Sequence, residues 1–268
     1  MGTLYFIGLG LYDVTDISLK GLNRVQTCDT IFAEFYTSVI PGSTIEDMND
    51  LFGKEVRVLT REEVEGETII LDALEQGNCV LLTGGDPMSA TTHQSLRIEA
   101  INRGHAIEVV HASSVFTAIP GLLGLPTYKF GRTTTLARPE GDYFPTSPYE
   151  VIQRNIEMDL HSLVLLDIKA HENYYMTANE GIDLLLRMEN LEEGHILTPE
   201  RKIAVVARAG SPDPFLWYGT LGSGREIDFG EPLHSIVIPA TCHFMEQEML
   251  DLIGSPGIGE QGSIPIRS

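Results

Sequence analysis

The sequence predicts an α/β protein with a mostly parallel sheet that is covered by helices on both faces. Two observations lead to this prediction. Short apolar segments rich in β-branched residues alternate along the chain with segments of helical periodicity, which is typical of parallel strands joined by crossover helices. The chain has 268 residues, enough for a well-buried core in one large domain or two small ones.

The alternation is regular in the first half of the chain. Strands are predicted at residues 4–9, 30–36, 56–59, 78–83 and 106–110. Helices are predicted at residues 19–28, 43–52, 67–75 and 91–103. Ser43 or Thr44 is the expected N-cap of the second helix, because a side-chain oxygen there can accept a hydrogen bond from the first free backbone N–H groups.

The alternation is interrupted after residue 111 and resumes near residue 149. Helices are predicted at residues 114–123, 149–158, 177–188 and 242–253, and strands at 133–137, 162–168, 203–207 and 235–238. The interruption indicates two α/β lobes of similar size, residues 1–112 and 113–268. Open α/β sheets bind ligands beyond the carboxyl ends of their strands, so a site is expected in the loops that directly follow strands.

The composition argues against several classes of protein. A net charge of −20 disfavours binding to nucleic acid, which depends on Lys and Arg neutralising phosphates. No segment approaches the roughly 18 apolar residues of a membrane span, and no signal peptide is recognised. The three cysteines and eight histidines show no zinc-binding spacing, so we predict no metal site and a cytoplasmic protein with reduced thiols.

Four segments that follow predicted strands have the composition of ligand-binding loops. They are residues 8–13, 84–87, 111–115 and 207–211. Glycines permit tight turns and a close approach of the ligand to the backbone, and small residues before a helix leave N–H groups for anionic oxygens. Each also has a simpler interpretation as a strand-to-helix turn, a helix cap or, at Arg208, an exposed arginine.

The segment Gly84-Gly85-Asp86-Pro87 is the most informative of the four. The proline favours an extended conformation at Asp86, whose carboxylate could accept hydrogen bonds from a ribose or an ammonium group. It could equally cap the helix near Thr91.

His234 is also ambiguous, because an isolated histidine at a strand is a core residue more often than a ligand. Neither a P-loop nor a Gly-x-Ser-x-Gly elbow is present.

Taken together, these segments resemble the diphthine synthase family. That family belongs to the tetrapyrrole-methylase-like class of S-adenosylmethionine-dependent enzymes, the class III methyltransferases. The resemblance extends over nearly the whole chain and rests on residues 4–11, 33–38, 85–87, 90–93, 128–131, 145–147, 165–170, 176–180 and 207–211. The chain has Gly84 where archaeal members tend to have Pro, and Ser89 where some have Val, but the Gly-Asp-Pro core is kept.

The resemblance implies two α/β lobes with a cofactor cleft between them, a homodimer, and S-adenosylmethionine as cofactor with S-adenosylhomocysteine as product. It implies that the enzyme successively methylates the amino group of a 3-amino-3-carboxypropyl-histidine in translation elongation factor 2, giving diphthine. A eukaryotic-type enzyme would also methylate the carboxylate. The cofactor contacts that it implies are Leu11, Asp86, Ser89, Ser114, Val115, Leu166, Ala209 and His234.

Two alternative functions stay open: a corrinoid or porphyrin-precursor methyltransferase of the same fold, and a non-enzymatic module that binds adenine nucleotides.

Methyl transfer from a sulfonium mainly requires positioning of the two reactants. The attacking amine must nevertheless be neutral, so a proton has to leave before each transfer. No catalytic residue is assigned from the sequence, and the candidates for a base are His111, Glu34 and Asp167.

Overall fold

The computed structural model describes residues 1–141 and 143–255, which form two compact units. The first unit comprises Met1–Val115 and Ile168–Asn173. The second comprises Phe116–Asp167 and the described part of the segment that begins at Tyr174. The predicted boundary after residue 112 therefore falls within the first unit. No helix in the described ranges combines the length and the apolar character that a membrane span requires.

The first unit is built on a five-stranded parallel sheet. Its strands are β1 (Thr3–Gly8), β2 (Thr30–Glu34), β3 (Val56–Leu59), β4 (Cys79–Thr83) and β5 (Ala106–Val110). Their order is β3-β2-β4-β1-β5, and each neighbouring pair is parallel. The connecting helices are α1 (Leu19–Thr27), α2 (Ile45–Phe52), α3 (Arg61–Glu65), α4 (Thr68–Gln76) and α5 (Gln94–Asn102). The parallel sheet predicted for this part of the chain is confirmed.

Helices cover both faces of this sheet because its central strands are apolar on both sides. Ile31 and Val80 lie in a buried cluster with Met48 of α2. Phe32 lies on the other face, in a second buried cluster that includes Leu74 of α4. Because helices cover both faces of the central strands, a ligand can reach these strands at their ends, where the strand-end loops begin.

The second unit is built on a mixed sheet. The strands that follow β5 in the chain are β6 (Thr134–Leu136), β7 (Ser162–Leu166), β8 (Ile168–Lys169), β9 (Tyr174–Tyr175), β10 (Lys202–Ala207), β11 (Phe215–Thr220) and β12 (His234–Ile238). Five of them form the sheet, in the order β11-β10-β12-β7-β6. The helices that follow α5 are α6 (Val115–Leu122), α7 (Ser147–Glu157), α8 (Ala178–Glu192), α9 (Leu221–Gly224) and α10 (Phe244–Ile253).

The second sheet departs from the parallel arrangement expected from the alternation. Strand β10 is antiparallel to β11 and to β12, β12 is antiparallel to β7, and β6 is parallel to β7. A short loop suffices between antiparallel neighbours, and β11 follows β10 without a crossover helix. Strand β11 is not among the predicted strands, because Pro212, Pro214 and Gly219 flank or interrupt its aromatic residues and indicate turns.

The carboxylate of Glu246 joins α10 to two other segments of the second unit. It accepts hydrogen bonds from His161 Nε2 at 3.1 Å and from Lys129 Nζ at 2.9 Å, and it is 3% exposed. His161 Nδ1 accepts the Ala240 N–H at 2.9 Å, so the ring proton is on Nε2 and points at the carboxylate. Burial raises the pKa of Glu246, but the donors Lys129, His243 N–H and His161 outweigh burial and lower it to about 2.

Replacing Glu246 with Gln should destabilise the protein by about 3 kcal/mol at pH 7, because it leaves the partly buried Lys129 and the buried His161 without their anionic partner. The pKa of Glu246 falls from an ordinary 4.5 to about 2 on folding. Its contribution is therefore complete above pH 4.5 and is lost as the pH falls toward 2. Urea unfolding should show a smaller difference between wild type and Glu246→Gln at pH 3 than at pH 7.

The matched control is Glu248→Gln, which removes an exposed carboxylate from the same helix. It should change the free energy of unfolding by less than about 0.5 kcal/mol. An equal difference between wild type and Glu246→Gln at both pH values would show that the charge of Glu246 does not stabilise the fold.

Candidate functional site

Two of the predicted loops lie side by side at the carboxyl edge of the parallel sheet. The loops follow the neighbouring strands β1 and β4. The Leu9 N–H donates to the Thr83 carbonyl at 2.9 Å, the Gly10 N–H donates to the Gly85 carbonyl at 3.3 Å, and the Gly85 N–H donates back to the Gly10 carbonyl at 2.6 Å. Both glycines have positive φ angles, 84° and 72°, which a side chain would disfavour.

The carboxylate of Asp86 ties the β4 loop to the loop that follows β5. One oxygen accepts the Met88 N–H at 2.9 Å and faces Ser89 Oγ at 3.4 Å. The other accepts His111 Nδ1 at 2.7 Å and the Ala112 N–H at 3.3 Å. Burial raises the pKa of Asp86, but these hydrogen bonds outweigh burial and leave its pKa below the ordinary value. The group is therefore an ionised carboxylate at neutral pH, although it is only 8% exposed.

The helix-capping interpretation of Asp86 does not describe its contacts. Helix α5 begins at Gln94 and follows His93, which makes no side-chain capping hydrogen bond. The Asp86 carboxylate instead stabilises its own turn and the neighbouring loop. The three predicted loops of the first unit, residues 8–13, 84–87 and 111–115, are thus brought into one group by direct contacts.

Gly8 lies where these three loops meet. A Cβ atom at this position would lie 2.4 Å from the Gly85 carbonyl oxygen, 2.7 Å from the Ala112 Cβ and 2.9 Å from the Pro87 Cδ. A Cβ at Gly85, in contrast, would have no atom within 4 Å. The loops are therefore packed tightly against one another at Gly8, while the backbone of Gly85 borders open space.

The remaining site residues predicted in the first unit lie in or beside these loops. The N–H groups of Leu11 and Tyr12 donate to Asp16 Oδ2 at 3.1 and 2.9 Å, which fixes the turn after β1. Ser114 is buried, and Val115 is the first residue of α6. Leu11, Asp86, Ser89, Ser114 and Val115 all belong to the first unit, although no ligand contact tests their predicted role.

The other three predicted site residues lie at strand ends of the second unit. Leu166 is the last residue of β7, Ala209 follows β10, and His234 is the first residue of β12. His234 Nδ1 accepts the Ala178 N–H at 3.0 Å, and its Nε2 donates to the Glu231 carbonyl at 3.0 Å. Burial lowers the pKa of His234. The ring is therefore neutral, and both of its nitrogens have protein partners.

Arg208 is partly buried and is not the exposed arginine considered from the sequence. Its guanidinium donates to the carbonyls of Phe229 at 2.8 Å and Glu231 at 3.1 Å. Its N–H donates to the Leu233 carbonyl at 2.8 Å. The side chain thus links the loop after β10 to the segment before β12.

The buried residues Glu34 and His93 form a pair that the sequence does not predict. His93 of this pair contacts the loop that contains Asp86. Both side chains are completely buried, and Glu34 Oε1 lies 3.3 Å from His93 Nε2, without hydrogen-bond alignment. Glu34 accepts the Thr37 N–H at 3.2 Å, and His93 Nδ1 donates to the Pro87 carbonyl at 3.1 Å. From the sequence, Glu34 is recognisable only as a carboxylate at the end of a buried strand. Its partner is distant in sequence and could not be inferred.

Comparison with known proteins gives a consistent class. The sequence model of the family Tetrapyrrole (Corrin/Porphyrin) Methylases matches residues 3–223. The diphthine synthase of Methanothermobacter thermautotrophicus is 47% identical over 255 residues, which cover 94% of this chain and 96% of the relative. The diphthine synthase of Methanocaldococcus jannaschii is 46% identical over 251 residues, covering 92% and 97%. A crystal structure of diphthine synthase superimposes with a TM-score of 0.86 at 35% identity, covering 98% of this chain and 100% of that chain.

The fold, the strand-end loops and these relatives define a methyltransferase, and the chain belongs to the tetrapyrrole methylase family. Within that family its relatives named above are diphthine synthases. The resemblance stated from the sequence is thereby confirmed, as is the expectation of a methyltransferase.

Gly8→Ala should destabilise the protein by about 1–3 kcal/mol, because its Cβ would overlap the backbone of the neighbouring loop. The control is Gly121→Ala in α6, where a Cβ would meet no atom within 4 Å. That variant should be as stable as wild type or up to about 1 kcal/mol more stable, since Ala favours helix. Urea unfolding measures both. A Gly8→Ala protein of wild-type stability would contradict the packing described here.

Proposed function

We propose that the protein is an S-adenosylmethionine-dependent methyltransferase that modifies translation elongation factor 2. In this proposal it successively methylates the amino group of a 3-amino-3-carboxypropyl-histidine and gives diphthine. The observation that carries the proposal is the junction of three loops at the carboxyl edge of the parallel sheet, tied by Asp86. This is the position at which open α/β sheets bind their ligands, and the named relatives are diphthine synthases.

The residues at this edge fit a cofactor of that kind. The backbone of Gly85 borders open space, because a Cβ placed there would meet no atom within 4 Å. A ligand can therefore approach the chain closely at this position. The buried Thr83 hydroxyl, at the end of β4 beside this loop, has no hydrogen-bond partner. Asp86 adds a fixed negative charge, which favours a cationic ligand. When bound, the cofactor would supply an activated methyl group on a sulfonium.

The first unit would hold the cofactor with Leu11, Asp86, Ser89, Ser114 and Val115. Asp86 would act by shaping the loops, because its two oxygens are already engaged by four protein donors. Further predicted contacts are Leu166, Ala209 and His234 of the second unit. A homodimer and a cytoplasmic location complete the proposal.

The deciding experiment incubates the protein with methyl-labelled S-adenosylmethionine and elongation factor 2 that carries the unmethylated 3-amino-3-carboxypropyl-histidine. We expect label on that residue, and mass spectrometry should show stepwise addition of up to three methyl groups. The control is elongation factor 2 with an unmodified histidine, which should take up no label. Label in a corrin or porphyrin precursor, with none in the factor, would instead support a tetrapyrrole methyltransferase. Cofactor binding without any transfer would support a binding module.

Asp86→Ala should weaken the binding of S-adenosylhomocysteine at least about 10-fold, equivalent to about 1.4 kcal/mol. The substitution leaves the His111 and Ala112 donors without their acceptor and loosens the junction of the loops. Isothermal titration calorimetry measures the affinity, with Asp72→Ala as the control because it removes an exposed carboxylate from α4. Unchanged affinity in a folded Asp86→Ala protein would place the cofactor elsewhere.

A further inference from the structure

His111 combines an exposed imidazole with a buried carboxylate partner. Its side chain is 71% exposed, whereas that of Asp86 is 9% exposed, and the two groups are 2.7 Å apart. The donors Met88 N–H and Ala112 N–H hold the carboxylate in place. A histidine that is oriented by a fixed carboxylate on one nitrogen and is open to solvent on the other has the arrangement of a general base.

The hydrogen bond determines which nitrogen of His111 can accept a proton. Asp86 is ionised and has no proton to donate, so His111 Nδ1 must be the donor in the 2.7 Å contact. In the neutral ring the lone pair is therefore on Nε2. When Nε2 takes up a proton, the Asp86 carboxylate faces the resulting imidazolium and stabilises it.

The other two candidates for the base are engaged differently. Glu34 is completely buried and contacts Thr37 and His93, so it has no access to a substrate. Asp167 is partly buried and accepts the Arg138 N–H at 2.9 Å, which fixes the backbone of a neighbouring segment. His111 is the exposed member of the three, and it is the first residue of the segment 111–115, which also contains Ser114 and Val115.

We propose that His111 is the general base that removes the proton from the substrate ammonium before each methyl transfer. This inference rests on the function proposed above. His111 Nε2 takes one proton from the ammonium nitrogen and leaves a neutral amine with a lone pair. The amine forms a bond to the methyl carbon, and the electron pair of the breaking carbon–sulfur bond remains on sulfur. The exposed imidazolium then returns its proton to water before the next transfer.

The cofactor-free protein provides the first test. Two-bond ¹H–¹⁵N correlation spectra report which ring nitrogen of a histidine carries the proton. At a pH where the ring is neutral, His111 should be protonated at Nδ1 and unprotonated at Nε2. A neutral ring protonated at Nε2 would overturn the proposal, because no lone pair would then face the substrate.

Single-turnover methylation of the modified elongation factor 2 provides the second test. His111→Ala should slow transfer by at least about 100-fold, measured with saturating cofactor. It should weaken the binding of S-adenosylhomocysteine less than Asp86→Ala does, because the Ala112 N–H still joins Asp86 to the loop after β5. Added imidazole should restore part of the rate, because the exposed position leaves room for a free base. The control is His171→Ala, which removes another exposed histidine, 73% exposed and 3.5 Å from the carboxylate of Glu172. It should keep the wild-type rate and show no response to imidazole.

The outcomes separate the two proposals. A wild-type protein that never methylates the factor overturns the proposed function and the role of His111 with it. An active wild type with an equally active His111→Ala variant overturns only the role of His111. A slow variant that imidazole does not restore also overturns it, because His111 would then act through the structure and not as a proton acceptor.

Discussion

The candidate site depends on one buried carboxylate. Asp86 lies on the loop after β4, accepts hydrogen bonds from the loop after β5, and belongs to the turn that pairs with the loop after β1. A buried charge is tolerated only where donors compensate for the water that it has lost. The four donors around Asp86 provide this, and those from His111 and Ala112 fix the loop after β5 to the loop after β4. The loop after β1 is joined to the same turn by the backbone hydrogen bonds between Gly10 and Gly85.

Buried carboxylates that accept hydrogen bonds from backbone N–H groups also occur in the second unit. The composition of the chain explains why such donors are used. The chain has 38 acidic residues against 18 Lys and Arg, so cations are scarce as partners for buried carboxylates. Glu189 accepts the N–H groups of His195, Ile196 and Leu197 at 2.6, 3.0 and 2.6 Å, and no lysine or arginine contributes to these bonds. Glu246 uses one lysine together with a histidine and a backbone N–H. Of these three buried carboxylates, Glu246 has a lysine partner, whereas backbone and neutral donors compensate the charges of Asp86 and Glu189.

The sequence predicts local structure and the location of loops better than it predicts partners. The alternation of apolar segments indicates the parallel sheet of the first unit, since crossover helices leave a periodic pattern. It does not distinguish the antiparallel second sheet, because strand direction depends on how the connections run and β11 has no helix before it. The loop containing Asp86 is recognisable from its glycines and proline. Its bond to His111 is not, because 25 residues separate the two and only the sheet order brings them together.

The net charge of the protein also helps to explain why a histidine, His111, is suited to the proposed role of general base at the edge of the sheet. For the amine substrate of the proposed function, a net charge of −20 favours the ammonium form, because negative potential stabilises a cation. A carboxylate placed against that amine would strengthen the preference and oppose the loss of the proton. A neutral imidazole accepts the proton without adding negative charge beside the amine. The Asp86 carboxylate is bound to the other ring nitrogen, Nδ1, and its charge is compensated by protein donors. In a strongly acidic protein, a histidine backed by a buried aspartate is therefore better suited to this step than an exposed Asp or Glu.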